Sequence, residues 1–355
     1  MSRDRVQKPK PKSPPQRRAI RPDGVERVKV EPLAPGRGLP LLATPGLEGV
    51  DLAAWMRDHR GWMQERLLRH GGILFRGFAL AGPEELEAVV QALAGEPMAY
   101  TYRSTPRKQV RGEIYTSTEY PASQSIPLHN EMSYSRQWPM KILFLCVQPA
   151  ERGGATPIAD SHRVFERIEP RVREAFARRG VMYVRNYGAG VDLPWQEVFQ
   201  TDDRERVERF CAGSGIEVEW LPGDRLRTRQ VCQGVASHPR GGEPLWFNQA
   251  HLFHVSSLPE AVRDHLLAQF AEDELPRHAF YGDGTPIEAA ALEEIRAAYD
   301  AETVTFPWSR GDLLVLDNMR VAHGREPYSG PRRILVGMAE ASSAGAAAEA
   351  GGAHG

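Results

Sequence analysis

The 355-residue sequence predicts a mainly β domain that carries helical insertions. Three observations support this fold class: many short apolar segments have the length of strands, helical patterns interrupt them at irregular intervals, and no segment repeats. A doubly wound parallel sheet would require regular alternation of strands and helices, which this chain lacks. The pattern therefore favours a closed or two-sheet β core with helices inserted between its strands.

The first predicted elements lie between residues 50 and 95. Apolar residues at helical spacing predict one helix over 52–70, which the glycine pair at 71 and 72 would end. A short buried strand is expected over 72–78. A second amphipathic helix is expected over 83–93, because three early glutamates favour the positive end of a helix dipole.

Beyond residue 130 the patterns are mostly those of short strands. The predicted strands are 132–135, 142–147, 156–159, 181–185, 217–221, 226–232, 245–248, 303–306, 313–316 and 334–338. The predicted helices that interrupt them are 163–168, 170–179, 204–211, 259–270 and 286–301.

Charge and composition divide the chain into one domain and two tails. Residues 1–30 are rich in Lys, Arg, Pro and Gln and are expected to be a disordered basic tail. The domain is expected over 31–341, followed by a disordered tail of small residues over 342–355. The net charge of the chain is -1, so the basic tail leaves an acidic body that does not favour nucleic-acid binding.

Several function classes are excluded by the same inventory. Three cysteines cannot form a disulfide framework, and no pair has the spacing of a zinc site. No apolar run approaches the roughly 18 residues that a membrane-spanning helix needs. The N-terminus lacks the apolar segment of a secretory signal, so a cytoplasmic protein without a membrane partner is expected.

The most informative segment is His129-Asn130-Glu131, in which one residue separates an imidazole from a carboxylate. On an extended strand these two side chains would lie on the same face and converge on one point. A His-x-Glu pair alone is weak evidence for a metal. His323, which follows the apolar segment 313–316, completes a set of two histidines and one carboxylate that is typical of non-haem Fe(II) centres with open coordination positions.

Those open positions require a cosubstrate. An α-keto acid can chelate iron through its carboxylate and keto oxygens, and a guanidinium can bind the distal carboxylate with two hydrogen bonds. Arg333 lies ten residues beyond His323 on a predicted strand. Thr156, in the segment Gly153-Gly154-Ala155-Thr156, could add a hydrogen bond.

These motifs, in this order, resemble the taurine/2-oxoglutarate-dependent dioxygenase family over about residues 72–338. The resemblance implies a double-stranded β-helix, the jelly roll of clavaminate synthase-like enzymes. It implies that Fe(II) is held by His129, Glu131 and His323. It further implies that Arg333, with help from Thr156, binds 2-oxoglutarate, with Arg332 as the alternative if the register differs by one residue.

Two stretches, 115–134 and 246–251, are similar to syringomycin-type hydroxylases, which act on amino acids that are often attached to a peptidyl carrier protein. The implied reaction uses O2 and 2-oxoglutarate to hydroxylate an unactivated C–H bond. Glu131 favours hydroxylation over halogenation, since related halogenases lack this carboxylate. Candidate substrate contacts are Arg107, Glu119, Asn248 and Arg325.

Taurine itself is disfavoured as the substrate. Taurine dioxygenase carries a further arginine four residues beyond its 2-oxoglutarate arginine, and that position is Gly337 here. The role of Asp317 stays open between orienting His323 and shaping a turn. The oligomeric state also stays open.

Two other function classes stay open at this point. One is a metalloenzyme on the same barrel that does not use 2-oxoglutarate, in which Arg333 would have no role. The other is a non-catalytic interaction protein with a vestigial site.

Overall fold

The computed structural model describes residues 27–100, 102, 107–118, 120–188 and 192–344. The first strand begins at Val28, so the predicted boundary of the basic tail at residue 30 is too late. Val28 is buried, and its alternation with Lys29 explains why the segment joins a sheet. The last strand reaches Ser343, two residues beyond the predicted end of the domain. The rest of both predicted tails lies outside the described residues.

Strands dominate the described residues. They are β1 Val28–Ala34, β2 Arg37–Pro45, β3 Gly72–Phe75, β4 Gln109–Arg111, β5 Ile114–Thr116, β6 Ile126–His129, β7 Gln137–Gln148, β8 Arg152–Gly153, β9 Ile158–Asp160, β10 Val181–Tyr187, β11 Glu217–Leu221, β12 Arg225–Cys232, β13 Val235–Ser237, β14 Pro244–Trp246, β15 Arg277–Tyr281, β16 Leu313–Asp317, β17 Val321–Arg325, β18 Tyr328–Ser329 and β19 Arg333–Ser343.

Helices fill most of the connections. They are α1 Leu52–Asp58, α2 Arg60–His70, α3 Pro83–Ala94, α4 Ser161–Arg167, α5 Pro170–Arg179, α6 Trp195–Phe199, α7 Arg204–Ser214, α8 Ala250–Phe253, α9 Glu260–Gln269 and α10 Ala289–Glu302. The helix predicted over 52–70 is two helices, because His59 adopts a non-helical backbone that ends α1 and begins α2. None of the described helices is both long and apolar enough to cross a bilayer.

The largest sheet has eight strands in the order β1-β2-β3-β16-β7-β19-β5-β4, and only the β2–β3 pair is parallel. Its central strands alternate between two apolar layers. Leu143 and Leu145 of β7 face a layer closed by helices α1, α2 and α3. Ile142, Phe144 and Cys146 face the opposite layer, which contains the interior of the β core.

A smaller sheet, β6-β17-β9, closes the other side of that interior. Ile158 of β9 and Val321 of β17 belong to the same apolar cluster as Ile142 and Leu316 of the large sheet. A single layer of apolar side chains therefore joins the two sheets. This arrangement confirms the predicted two-sheet β core with helical insertions.

The main insertion is residues 161–302, between β9 and β16. It contains a third sheet, β11-β12-β10-β15, and most of the later helices. Its own apolar cluster includes Phe176 of α5, Trp246 of β14, Tyr281 of β15 and Leu292 of α10, all almost fully buried. The insertion is thus a second packed layer beside the β core.

Two predicted strands are wrong. Residues 132–135 form a turn after β6, and Met132 has a positive φ of 58° that a strand does not allow. Residues 303–306 contribute only one isolated bridge, between Val304 and Ile158. The apolar character that suggested strands at both places reflects burial against the core rather than sheet pairing.

Candidate active site

Three side chains that are remote in the sequence meet between β6 and β17. His129 ends β6 and is the register partner of His323 on β17, and the centres of the two imidazole rings are 4.7 Å apart. Glu131 lies two residues beyond β6, with its carboxylate oxygen Oε2 3.8 Å from Nε2 of His323. One potential ligand atom from each residue lies within 4.8 Å of the others.

Glu131 reaches this position from a turn, not from the extended strand that the sequence predicts. Asn318 fixes the turn: its Oδ1 accepts from the backbone N–H of Glu131 at 2.7 Å, and its Nδ2 donates to the carbonyl of Glu131 at 2.9 Å. Asn130 donates to the carbonyl of Asn318 at 2.7 Å. The turns that follow β6 and β16 therefore hold each other, and this contact orients the carboxylate.

The protonation states of His129 and Glu131 suit metal binding. Burial, aided by the proximity of His323, lowers the pKa of His129 to about 3, so that imidazole is neutral at physiological pH. Burial alone would raise the pKa of Glu131, but the charge of Arg107 and the bond with His323 hold it well below its usual range. A neutral imidazole and an ionised carboxylate are the forms that bind a metal.

The tautomer of His129 is also set. Its Nδ1 lies 2.8 Å from the carbonyl of Pro127, to which it donates, and this leaves Nε2 as the atom that can accept a metal. Two imidazoles and one carboxylate that converge from a strand pair match the facial set of non-haem Fe(II) sites. The residues present therefore fit a ferrous ion.

Arg107 lies directly against this group. Its Nη2 donates to Oε2 of Glu131 at 2.6 Å, and both side chains are almost fully buried. Its guanidinium also stands over the ring of Tyr100, 4.7 Å from the ring centre. A hydrogen bond of this kind to a ligating carboxylate restricts its rotation, as outer-sphere partners commonly do.

Two cavities flank the three residues. The first, which we name the Arg332 cavity, is lined among others by Ser117, His129, Thr156, His323, Arg325 and Arg332. The second, which we name the Arg277 cavity, has a volume of about 150 Å³ and is lined among others by His129, Glu131, Tyr134, Gln249, Phe253 and Arg277. His129 and Arg107 border both cavities.

The Arg332 cavity is electropositive. Burial and the nearby charge of Arg325 lower the pKa of Arg332 to about 10, so both guanidiniums remain charged. Neither forms an ion pair with any residue that the structure describes. Arg332 is held by a bond from its Nε to the carbonyl of Gly154 at 2.9 Å. Arg325 is buried and Arg332 is half-buried, and two such cations without a partnering carboxylate form a site for an anion.

Residues 29–339 match the model described as "Taurine catabolism dioxygenase TauD, TfdA family". The chain belongs to the TauD/TfdA family. This membership confirms the resemblance and identifies the chain as a 2-oxoglutarate-dependent non-haem iron dioxygenase, with Fe(II), 2-oxoglutarate and O2 as cofactor and cosubstrates.

Relatives extend over most of the chain. The dapdiamide synthesis protein DdaC of Enterobacter agglomerans is 40% identical over 309 residues, which cover 87% of this chain and 93% of that protein. A clavaminate synthase-like protein of Arabidopsis thaliana is 29% identical over 298 residues, which cover 80% and 86% of the respective chains.

Solved structures confirm the fold. The PvcB protein of Pseudomonas aeruginosa superposes with a TM-score of 0.53 at 18% identity and covers 88% of this chain and 91% of that one. Asparagine oxygenase superposes with a TM-score of 0.50 at 14% identity, covering 81% and 79%. Together with the family match, these structures confirm the predicted double-stranded β-helix.

The structure distinguishes the two arginines that the sequence left as alternatives. Arg332 lines its cavity with Ile334 and Val336, the next inward residues along the chain. Arg333, the preferred candidate in the sequence, is exposed on the other face. Because side chains alternate along a strand, a register that places Ile334 inward also places Arg333 outward, which corrects the preference. Thr156 also lines the Arg332 cavity.

Of the four predicted substrate contacts, two line a cavity beside the metal ligands, one is buried elsewhere and one lies outside the described residues. Arg107 borders both cavities, whereas Arg325 lines only the Arg332 cavity and donates to the carbonyls of residues 120, 121 and 124. Asn248 is buried away from both cavities: its Nδ2 donates to the carbonyl of Gly234 and its Oδ1 accepts from the N–H of Ala250. Glu119 lies outside the described residues.

Asp317 shapes a turn rather than orienting His323. Its Oδ1 accepts from the backbone N–H groups of residues 319 and 320, and its Oδ2 binds Lys141 at 2.9 Å. The neighbouring Asn318, which sequence reasoning passed over, is the residue that supports the site. Gln249 and Arg277 of the second cavity were also missed. Gln249 lies within the segment 246–251 that carries the family resemblance, and this was the available signal.

Proposed function

We propose that this enzyme hydroxylates a small amino acid, with iron held by His129, Glu131 and His323 and 2-oxoglutarate held in the Arg332 cavity. Bound iron and 2-oxoglutarate supply the oxidising chemistry, in which O2 is consumed, succinate and CO2 are released, and a C–H bond of the substrate gains a hydroxyl group. The protein residues orient the reactants and exclude water from them.

One observation carries the assignment of the cosubstrate. Arg325 and Arg332 face a cavity that also reaches His129 and His323, and no described acid neutralises either charge. A dicarboxylate that spans from the histidines to Arg332 supplies the missing charge. Its distal carboxylate accepts from the guanidinium in the two-bond geometry that arginine favours.

Thr156 adds a directed hydrogen bond. Its Oγ1 accepts from the indole Nε1 of Trp308 at 3.1 Å, which leaves the hydroxyl proton available to donate. Thr156 and Arg332 line the same cavity, which supports donation from that hydroxyl to the same distal carboxylate.

Two relatives support an amino acid as the substrate. DdaC is described as a dapdiamide synthesis protein, and the asparagine oxygenase structure holds a hydroxyasparagine product with Fe(II) and succinate. The Arg277 cavity borders His129 and Glu131 but not Arg332, and its walls combine polar and aromatic side chains. This combination suits a zwitterion with a short side chain.

The assignment is tested by anaerobic titration with Fe(II) and 2-oxoglutarate, which we expect to produce a visible charge-transfer band in the wild type. Arg332→Gln removes charge-assisted hydrogen bonds and should weaken 2-oxoglutarate binding roughly 100-fold. Arg332→Lys retains the charge but loses the fork and should cost about 10-fold. Arg333→Gln is the matched control, and it should leave the titration unchanged.

The titration also separates the other function classes. A wild type that binds iron without any response to 2-oxoglutarate would indicate a metalloenzyme that does not use this cosubstrate. A chain that binds neither would indicate a vestigial site. Equal losses in the Arg332 and Arg333 variants would contradict the assignment of the cavity.

A further inference from the structure

We propose that Gln249 binds the ammonium group of the substrate through its side-chain oxygen Oε1. This inference rests on the proposed function and deepens it, because it names a residue that selects an amine. Its starting point is a buried amide that lines the Arg277 cavity but not the Arg332 cavity. An amide oxygen accepts hydrogen bonds and an ammonium group only donates them, so the two groups are complementary.

The orientation of the Gln249 amide is set by its neighbours. Its Nε2 donates to the carbonyl of Asn130 at 2.8 Å, and its backbone N–H donates to the hydroxyl of Tyr183 at 2.7 Å. The opposite orientation of the amide would place Oε1 against the Asn130 carbonyl, with no proton between the two acceptors. The nitrogen therefore serves the backbone, and the oxygen is left for the cavity.

The side-chain oxygen is the open end of this residue. Oε1 has no hydrogen-bond partner among the described residues, and it is not one of their fully enclosed polar atoms. Gln249 as a whole is only 4% exposed, and it lines the Arg277 cavity. A buried acceptor without a protein partner costs free energy unless water or a ligand supplies a donor. The cavity is the place from which that donor can come.

The segment around Gln249 is rigidly positioned. Gln249 directly precedes helix α8, and the side chain of Asn248 fixes the chain on either side of it. Oδ1 of Asn248 accepts from the N–H of Ala250 at 3.0 Å, and its Nδ2 donates to the carbonyl of Gly234 at 2.6 Å. An acceptor held in this way loses little entropy when it binds a ligand.

The position of the acceptor suits a substrate of an iron centre. Asn130, which accepts the Nε2 bond, lies between the ligands His129 and Glu131 in the sequence. The amide of Gln249 therefore contacts the turn that joins the two ligands, and both ligands line the same cavity. A substrate whose ammonium group binds Oε1 thus lies in the cavity that reaches the metal ligands, with Phe253 as an apolar wall for its carbon atoms.

Gln233 provides a matched comparison within the chain. Its Nε2 donates to the carbonyls of Ser133 and Ser135, at 2.8 and 3.3 Å, in the turn that contains Glu131. Its Oε1 is fully enclosed, and the residue lines neither cavity. Gln233 shares the structural bond to this turn but not the open acceptor, so it separates a structural role from substrate binding.

The test measures binding of matched probes to the Fe(II)–2-oxoglutarate form of the full chain under anaerobic conditions. Each common L-amino acid is compared with its 2-hydroxy acid, which keeps a neutral donor, and with its des-amino acid, which has no donor at that carbon. Binding is measured as the perturbation of the charge-transfer band at saturating 2-oxoglutarate, which requires no turnover. The proteins are the wild type, Gln249→Leu, Gln249→Glu and the control Gln233→Leu.

We expect at least one amino acid to bind the wild type about 10- to 100-fold more tightly than its des-amino acid, with the hydroxy acid between them, as hydrogen bonds to charged groups predict. In Gln249→Leu that ratio should fall to about one. Gln249→Glu also loses the Nε2 donor but keeps an oxygen, so it should retain the ratio or increase it. Gln233→Leu should retain the wild-type ratio. Gln249→Met, which has a similar shape and no amide, replaces Gln249→Leu if that variant does not fold.

The inference is overturned if amino acids and des-amino acids bind the wild type equally, if the ratio survives in Gln249→Leu, or if no amino acid perturbs the band. Equal loss of the ratio in Gln249→Leu and Gln249→Glu would overturn it in favour of a structural role through the bond to Asn130. Failure of the proposed function looks different, since the wild type would then show no band with Fe(II) and 2-oxoglutarate at all.

Discussion

The two cavities that flank the metal ligands share one wall but are built from different parts of the chain. The Arg332 cavity takes Thr156, Arg325 and Arg332 from the β core, beside strands β9, β17 and β19. The Arg277 cavity takes Gln249 and Arg277 from the 161–302 insertion. The proposed cosubstrate site is therefore built on the β core, whereas the proposed substrate site depends on the inserted segment.

The two cavities also differ in net charge. Arg332 and Arg325 have no acidic partner among the described residues, so the Arg332 cavity attracts a dianion strongly. Arg277 is already paired with Asp192, so its cavity is close to neutral and suits a zwitterion. The Arg332 cavity therefore favours a ligand with a net negative charge. The Arg277 cavity favours a ligand whose positive and negative groups match the positions of its own charges.

His129 borders both cavities, so its substitution should abolish the function of both and gives the largest expected effect. His129→Ala removes one of three metal ligands, and we expect turnover of 2-oxoglutarate to fall more than roughly 1000-fold. Iron bound per chain, measured by metal analysis after desalting, should fall with it.

His162→Ala is the control for this substitution. His162 contacts the carbonyl of Pro244 at 2.9 Å and lies near the start of α4, away from both cavities. Its iron content and 2-oxoglutarate turnover should match the wild type. Retention of stoichiometric iron in His129→Ala would contradict the ligand assignment.

The same division explains how much could be predicted from the sequence. The metal ligands and the Gly153–Thr156 segment could be recognised because iron and 2-oxoglutarate chemistry restricts residue types at those positions. The choice between Arg332 and Arg333 could not be made, since it depends on which face of β19 turns inward. That face is set by the pairing of Ile334 with Cys146 across the sheet, a contact between remote segments.

The substrate side was less predictable for a physical reason. Strand β15, which carries Arg277, is buried on both faces after its first residue, so it lacks the alternation that identifies a strand. Asn248 seemed a plausible substrate ligand because its type is polar, yet both ends of its amide satisfy backbone groups. The two-residue spacing of His129 and Glu131 was informative, although a turn rather than a strand brings them together.

A smaller substitution should weaken only the Arg332 cavity. Gly154 has a φ of 71°, and a Cβ there would lie 3.0 Å from Cδ of Arg332 and 3.0 Å from Cβ of Tyr328. Gly154→Ala should therefore displace the guanidinium and raise the KM for 2-oxoglutarate about 10-fold, the loss of about one hydrogen bond. Binding of free amino acids in the Arg277 cavity should change little once 2-oxoglutarate is saturating.

Gly223→Ala controls for the backbone strain in this substitution. Gly223 has a similar φ of 75°, and a Cβ there meets nothing within 4 Å. Both variants should lose about 1 kcal/mol of stability, because alanine is strained at positive φ. If the KM for 2-oxoglutarate rises equally in both, contact with Arg332 is not the cause.

The smallest expected effect is a pH dependence that belongs to the substrate side. His254 and His278 follow Phe253 and Arg277 of the Arg277 cavity in the chain, and their rings are tilted with centres 4.4 Å apart. Burial, with the charge of Arg296, lowers the pKa of His254 to about 4. Burial, with the proximity of His254, lowers the pKa of His278 to about 3. Both rings are neutral in the folded protein at pH 6, whereas an unfolded histidine gains a proton near pH 6.5.

Because the unfolded state binds more protons between about pH 4 and 6.5, the free energy of unfolding must fall as the pH falls through that window and must be flat above it. A histidine that is neutral in the folded state and charged in the unfolded state contributes at most about 1.4 kcal/mol per pH unit. His278→Asn keeps an acceptor for the N–H of Val255, which binds Nδ1 at 3.2 Å, but removes the titration.

Denaturant unfolding of the metal-free protein from pH 4.5 to 7.5 should therefore give a shallower pH dependence in His278→Asn, with equal stability above pH 7. The metal-ligand histidines contribute equally to both proteins and cancel in the difference. Parallel curves would show that His278 has the same pKa in the folded and the unfolded state. The wall that carries Arg277 would then be no more sensitive to acid than the β core that carries Arg332.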